Sequence, residues 1–168
     1  MTPDAPHLDP EQLAAYFALT DVGSLLQYAV EQQLREDGDL SSVQFQIIAR
    51  LTGAPSGRLR MTDLADGIVY SRSGLTYQVG VLEKAGLVVR GTGPDDERTV
   101  VVSLTAAGRD RFFQVLPGHV EVVRRLLVDP LDRSDLATLR SLMDRVLTHM
   151  RAAPPRSARP RPPRKPSA

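Results

Sequence analysis

The chain has 168 residues, 42% of them apolar, and a formal net charge of +1. This length and apolar content predict one compact domain. Because the sequence contains no cysteine, disulfides, thiolate metal sites and a cysteine nucleophile are excluded. The polar N-terminus and the lack of an uninterrupted apolar run of about 18 residues predict a soluble, cytoplasmic protein with no membrane partner.

The small net charge conceals a basic C-terminal tail and a net acidic remainder. Residues 152–168 carry five basic residues, six prolines and no acidic residue. This composition predicts a disordered tail, because it can bury too little apolar surface to offset its ordering entropy. Two interpretations stay open: a solubilising segment, or one that assists binding to phosphates. Residues 1–9 are predicted to be a flexible N-terminus.

The N-terminal half of the chain predicts three helices. Apolar residues recur at helical spacing over residues 10–36. Ser41 and Gln44 then form the Ser-x-x-Gln pattern of a capping box and predict a second helix that ends near Gly53. A short strand is predicted over residues 58–61, followed by a very short helix capped by Thr62.

The segment 71–86 predicts a helix of about four turns whose polar residues gather near its N-terminal end. Ser71 is a suitable N-cap and Gly86 a suitable C-terminal stop. Arg72 and the neighbouring hydroxyls could reach phosphates or base edges in a major groove. An ordinary amphipathic surface helix would show the same pattern. The neighbouring segments are therefore needed to distinguish a DNA-contacting helix from a surface helix.

Two β-rich runs, residues 87–90 and 100–104, flank a turn-forming segment and predict a hairpin with a polar tip. Arg98 follows Asp96 there, so a carboxylate could hold the guanidinium in one orientation. A fixed arginine on a protruding ribbon suits a narrow minor groove. The alternative is a surface ion pair of little consequence.

Two long helices are predicted near the C-terminus. The first is capped by Thr105, is kinked near Pro117 and ends at Asp129; the second begins at Asp132 or Ser134. Their apolar stripes, with that of the first helix, exceed what a thin monomer could bury. The sequence therefore predicts that two copies pair.

The order helix, turn, helix, hairpin is that of a winged helix. Five segments carry a closer resemblance: residues 61–65, 71–76, 82–90, 95–98 and 103–108. In these segments the chain resembles the multiple-antibiotic-resistance-regulator family, called MarR. The resemblance implies a mainly α fold with a small β-hairpin wing, forming a homodimer on double-stranded DNA. It assigns the dimerisation helices to residues 10–40 and 105–151 and the winged helix-turn-helix DNA-binding lobe to residues 41–104. The DNA-binding residues that it implies are Ser71, Arg72, Ser73, Thr76, Tyr77, Gln78, Asp96 and Arg98.

The predicted function is a dimeric, sequence-specific transcriptional regulator, in particular a repressor of a palindromic operator released by a small-molecule ligand. An alternative is a winged-helix dimer that acts as a protein-interaction adaptor without specific DNA binding. The balance of six basic and six acidic residues between positions 58 and 98 would permit the adaptor and predicts modest DNA affinity. Tyr77 lies where related sequences often have a basic residue, so the base preference is expected to differ.

The sequence predicts neither an enzyme nor a cofactor, because it lacks a Gly-rich phosphate loop, a nucleophile elbow and a His–acid constellation. Its three histidines, His7, His119 and His149, are too scattered for a metal site and are expected to be solvated or satisfied. A ligand crevice between the dimer helices and the lobe is implied by the resemblance. Its aromatic candidates are Tyr16, Phe17, Tyr28, Phe45, Phe112, Phe113 and His119. Aromatic residues at helical spacing more often belong to a core, so no ligand-binding residue is assigned.

Overall fold

The structure, a computed structural model, describes residues 7–68, 72–93 and 99–152. Within these ranges the protein is mainly helical with a small antiparallel sheet, as the sequence predicts. The elements are α1 (Pro10–Gly38), α2 (Ser42–Gly53), β1 (Arg58–Arg60), α3 (Met61–Gly67), α4 (Arg72–Lys84), β2 (Val88–Thr92), β3 (Val100–Leu104), α5 (Ala106–Val123), a π-helical turn (Arg124–Val128) and α6 (Arg133–Arg151).

Helix α1 runs to Gly38, slightly beyond the predicted end at residue 36. Asp39 ends it in the left-handed conformation (φ 51°), and its backbone N–H donates to the carbonyl of Arg35. Side chains of α5 satisfy two further carbonyls at this end: Arg111 donates to Gly38, and Gln114 donates to Asp37 at 2.8 Å. The helix is longer than predicted because contacts with α5, distant in sequence, cap it.

The start of α2 is fixed both locally and to α1. The predicted capping box is present, with Ser41 and Gln44 bonded reciprocally. Glu31 of α1 also accepts hydrogen bonds from the backbone N–H and the hydroxyl of Ser42, at 2.6 and 2.5 Å. Burial would raise the pKa of Glu31, but these bonds and the neighbouring Arg35 hold it below its usual value.

The three strands form one antiparallel sheet in the order β1-β3-β2. Leu59 of β1 pairs with Val102, and Val88 of β2 pairs with Leu104. The strand β1 runs directly into α3, whose N-cap is Arg60 without a side-chain cap. The prediction that Thr62 caps α3 is therefore wrong, because pairing of β1 with β3 places the helix start one residue before it.

The core lies between α2, α3, α4 and the sheet. Ile48 and Leu51 of α2 and Val102 of β3 are fully inaccessible to solvent. Helix α1 contributes Leu34 and α5 contributes Val115, so both long helices are joined to the lobe near these residues. The remaining core residues with 1% exposure or less are Leu40, Ile47, Leu64, Leu75, Val79, Leu82 and Val88.

The C-terminal helices begin where the sequence predicts. The hydroxyl of Thr105 accepts from the N–H of Gly108 and caps α5, and Asp132 caps α6. The sequence predicts a kink near Pro117. In the structure α5 is a continuous α-helix through Pro117 and ends at Val123, where the π-helical turn begins. Helix α6 buries no residue within the protomer.

Large apolar side chains are exposed along α1, α5 and α6. Leu25 and Tyr28 of α1 are 70% and 67% exposed, and Met150 of α6 is 71% exposed. By length and apolar composition α1 could even cross a membrane, and its most apolar stretch is entirely outside the core. The sequence nevertheless predicts no membrane partner, because its apolar runs are interrupted by polar residues, of which Asp21 in α1 is an example. One copy of the chain thus leaves an extensive apolar surface exposed to solvent.

Candidate nucleic-acid interface

Helix α4 has one buried face and one polar exposed face. Leu75, Val79 and Leu82 enter the core. Four of the residues predicted to contact DNA, which are Arg72, Ser73, Thr76 and Tyr77, are exposed along the first two turns. Tyr77 is 68% exposed, which is unusual for an aromatic side chain without a partner. The structure thus brings these four side chains together on an open helix face.

Gln78 differs from the other predicted residues because it is half-buried at the edge of this face. Its Oε1 accepts a hydrogen bond at 3.0 Å from Nε2 of Gln44 on α2. The sequence analysis did not predict that Gln44 belongs to the site, because the capping box of α2 already explained a glutamine at this position. No local signal indicates a contact between residues 34 positions apart.

A shallow cavity of about 140 Å³ opens between α3 and α4 beside Arg72. It is much smaller than the roughly 300 Å³ of a typical small-molecule pocket. The Thr76 hydroxyl, at the same place, donates to the carbonyl of Arg72 at 2.9 Å. The residues lining this cavity are Met61, Thr62, Ala65, Arg72, Leu75 and Thr76.

An ion pair joins α4 to the first strand of the wing. Nη2 of Arg90 lies 2.5 Å from Oε2 of Glu83, and the backbone N–H of Arg90 donates to Oε1 at 2.9 Å. The hydrogen bonds from Arg90 lower the pKa of Glu83. This ion pair offsets the charge of Arg90, although the side chain is exposed. Arg58 and Arg60 on β1 and Lys84 remain exposed.

The wing is also anchored to the start of α5. The hydroxyl of Thr105 lies 2.8 Å from the carbonyl oxygen of Gly86 and 3.0 Å from that of Leu87. Gly86 has a φ of +72°, which favours glycine and turns the chain from α4 into β2. Gly108 packs so closely that an added Cβ would overlap the carbonyl oxygen of Leu87.

Three of the residues predicted to contact DNA, Ser71, Asp96 and Arg98, lie outside the described residues. The predicted N-cap of α4 and the predicted minor-groove contact of the wing therefore stay predictions. The wing strands on either side of the tip are described, and Gly93 donates its N–H to the carbonyl of Thr99 at 2.8 Å. The predicted hairpin is confirmed up to its tip.

The aromatic candidates divide into two groups. Phe45 stacks on Phe112 with ring centroids 5.6 Å apart, and the ring of His119 lies 4.5 Å from that of Phe45. These three side chains pack together where α2 contacts α5, which agrees with the interpretation of these aromatic residues as part of the core. The other candidates are more than half exposed: Tyr16, Phe17, Tyr28 and Phe113.

The prediction that every histidine is solvated or satisfied is wrong for His119. Its Nδ1 is buried and, among the described residues, has no hydrogen-bond partner. Burial against aromatic rings lowers the pKa of His119. No group of three or more potential metal ligands occurs in the part of the chain that the structure describes.

Comparison with known proteins agrees with this geometry. A sequence model of the MarR family matches residues 38–99. The transcriptional regulator PecS of Dickeya dadantii is 30% identical over 149 residues, which cover 88% of each chain. The transcriptional repressor YetL of Bacillus subtilis is 27% identical over 121 residues, or 72% of each chain.

A solved structure shows the same fold on DNA. It is the MarR-family regulator Sco3205 of Streptomyces coelicolor in complex with DNA, which is 30% identical and superposes with a TM-score of 0.82. The match covers 88% of this chain and 92% of that one. The protein is therefore a DNA-binding transcriptional regulator and not an enzyme, as its winged-helix fold, the exposed polar face of α4 and these relatives together indicate. The chain belongs to the MarR family.

Proposed function

We propose that the protein is a cytoplasmic, homodimeric repressor that binds a palindromic operator and is released by a small-molecule ligand. The main observation in support of this proposal is the exposed polar face of α4, where the side chains of Arg72, Ser73, Thr76 and Tyr77 are accessible to solvent. A recognition helix enters a major groove with its N-terminal residues against the base edges. In this proposal Ser71, which precedes α4 in the sequence, and Asp96 and Arg98, whose sequence positions fall between β2 and β3, complete the DNA contact.

Dimerisation is supported by apolar faces that one protomer leaves uncovered. Helix α6 is 19 residues long and buries none of them. Leu142, Val146 and Leu147 on its apolar side are each more than 40% exposed. A second copy would cover this surface and that of α1 together, because two-fold pairing places the same faces against each other.

The apolar stretch of α1 is better covered by protein than by lipid. Asp21 lies near the middle of the helix, where an unpaired carboxylate in a bilayer would be costly. The C-terminal end of α1 is bonded to α5, since Gln33 donates to the carbonyl of Val115 at 3.1 Å. A spanning helix could not keep this junction with α5.

Repression and ligand release are the finer parts of the proposal. The name of YetL identifies that relative as a repressor. A ligand would act where the lobe meets the long helices, at the contact of Phe45 with Phe112. Movement at this contact would change the separation of the two recognition helices and hence their fit to the operator.

Replacing Arg72 with alanine is expected to weaken operator binding by about thirtyfold or more. Two copies are lost per dimer, and a good base or phosphate contact contributes about 1–3 kcal/mol. Fluorescence anisotropy with labelled duplexes across a range of salt concentrations measures the effect. A base contact predicts relaxed sequence preference, whereas a phosphate contact predicts a salt slope reduced by about one per arginine.

Arg145→Ala is the matched control, because Arg145 is an exposed arginine of α6 away from the apolar side. It should bind the operator as the wild type does. Equal binding by Arg72→Ala and the wild type would refute the proposed interface. It would favour the adaptor function, which the balance of six basic and six acidic residues between positions 58 and 98 permits.

A further inference from the structure

The amide of Gln44 has only one orientation compatible with its neighbours. Its Oε1 lies 2.9 Å from the backbone nitrogen of Ser41. A backbone N–H can only donate, so the side chain must present oxygen to it. The NH₂ group of Gln44 is therefore directed to the other side, toward α4.

This orientation is passed on to Gln78. Nε2 of Gln44 donates to Oε1 of Gln78 at 3.0 Å. Because an NH₂ group can only donate, Gln78 must present its oxygen to α2 and its own NH₂ group away from it. Among the residues that the structure describes, none accepts a hydrogen bond from this NH₂ group.

We propose that Gln44 is a positioning residue that sets base specificity by making Gln78 a hydrogen-bond donor toward the DNA. The proposal rests on the proposed function, in which α4 enters the major groove. A donor at this position selects a base edge that offers acceptors, such as O6 and N7 of guanine or O4 of thymine. It disfavours cytosine, whose major-groove edge offers the N4 donor.

The variant Gln44→Glu should reverse the polarity of Gln78 while leaving the helix cap intact. Glutamate at this place completes a Ser-x-x-Glu capping box, so one carboxylate oxygen can still accept from Ser41. The other oxygen can only accept, and Gln78 must then turn its NH₂ group inward. Its Oε1 faces the DNA instead and favours N6 of adenine or N4 of cytosine.

The test selects binding sites from a randomised duplex pool with the full-length wild type and three variants: Gln44→Glu, Gln78→Ala and the double variant. Relative affinity is read at each base pair. Gln78→Ala should flatten the preference at one position in each half-site. At that same position Gln44→Glu should move the preference from guanine or thymine to adenine or cytosine by about tenfold.

The double variant provides the control for coupling. With alanine at position 78, Gln44→Glu should no longer alter the preference at that position. Circular dichroism should show unchanged helicity for Gln44→Glu, because the cap is kept. A uniform fall in affinity from the added negative charge does not affect the comparison, which uses relative preferences within one protein.

Three results would overturn the proposal: no position changed by Gln78→Ala, an unchanged preference in Gln44→Glu, or loss of selection at every position in a folded Gln44→Glu variant. These results can be distinguished from failure of the proposed function. If the proposed function fails, the wild type itself selects no site, and Arg72→Ala binds DNA as the wild type does.

Discussion

Replacing Leu142 with glutamate should turn the proposed dimer into a folded monomer and weaken operator binding about a hundredfold or more. Leu142 is 42% exposed in the protomer, so a charge there does not disturb the core. In the dimer the same carboxylate would be buried without a partner, twice per molecule, at a cost of several kcal/mol. A monomer presents one recognition helix and loses the second half-site.

Sedimentation equilibrium measures the association state, and anisotropy with operator DNA measures the affinity. Ser141→Glu is the matched control, since it adds the same charge one residue earlier on an exposed position away from the apolar side. It should remain dimeric with unchanged binding. A dimeric Leu142→Glu variant would show that the interface does not use this side of α6.

The second large effect is expected at Gly108. An alanine there places its Cβ on the carbonyl oxygen of Leu87, a backbone atom that cannot turn aside. Overpacking of this kind costs about 1–3 kcal/mol, and the helix-propensity gain of about 1 kcal/mol on replacing glycine with alanine offsets only part of it. Because the overlap is with a backbone atom, the cost lies toward the upper end of this range, and Gly108→Ala should lower the free energy of unfolding by about 2 kcal/mol. Because Leu87 begins the wing, DNA affinity should fall as well.

Urea unfolding followed by circular dichroism measures the stability difference. Gly53→Ala is the control, because Gly53 ends α2 and a Cβ there meets no atom within 4 Å. This variant should be at least as stable as the wild type, because it adds no clash and alanine favours the helix by up to about 1 kcal/mol. Wild-type stability in Gly108→Ala would show that the wing is not held by its close contact with α5.

Features that depend on neighbouring residues could be predicted from the sequence. The capping box at Ser41, the cap at Thr105 and the start of the last helix at Asp132 each depend on partners only two or three residues away. The exposed face of α4 follows from the helical spacing of its buried residues. These local patterns were sufficient for the order of elements and for the candidate recognition helix.

Features set by contacts between distant segments could not be predicted in this way. Thr62 is a good cap by composition, but pairing of β1 with β3 starts α3 before it. The Gln44–Gln78 bond depends on how α2 lies against α4. His119 meets Phe45 only because α5 crosses α2, and its buried Nδ1 follows from this packing.

A footprint of the full-length protein on DNA from its own promoter region tests the central claim most directly. Two recognition helices related by a two-fold axis predict two protected major-groove segments, centred about 34 Å or roughly 10 base pairs apart, over an inverted repeat. Protection should be lost with Arg72→Ala. A single protected half-site, or no sequence-dependent protection at all, would contradict the account.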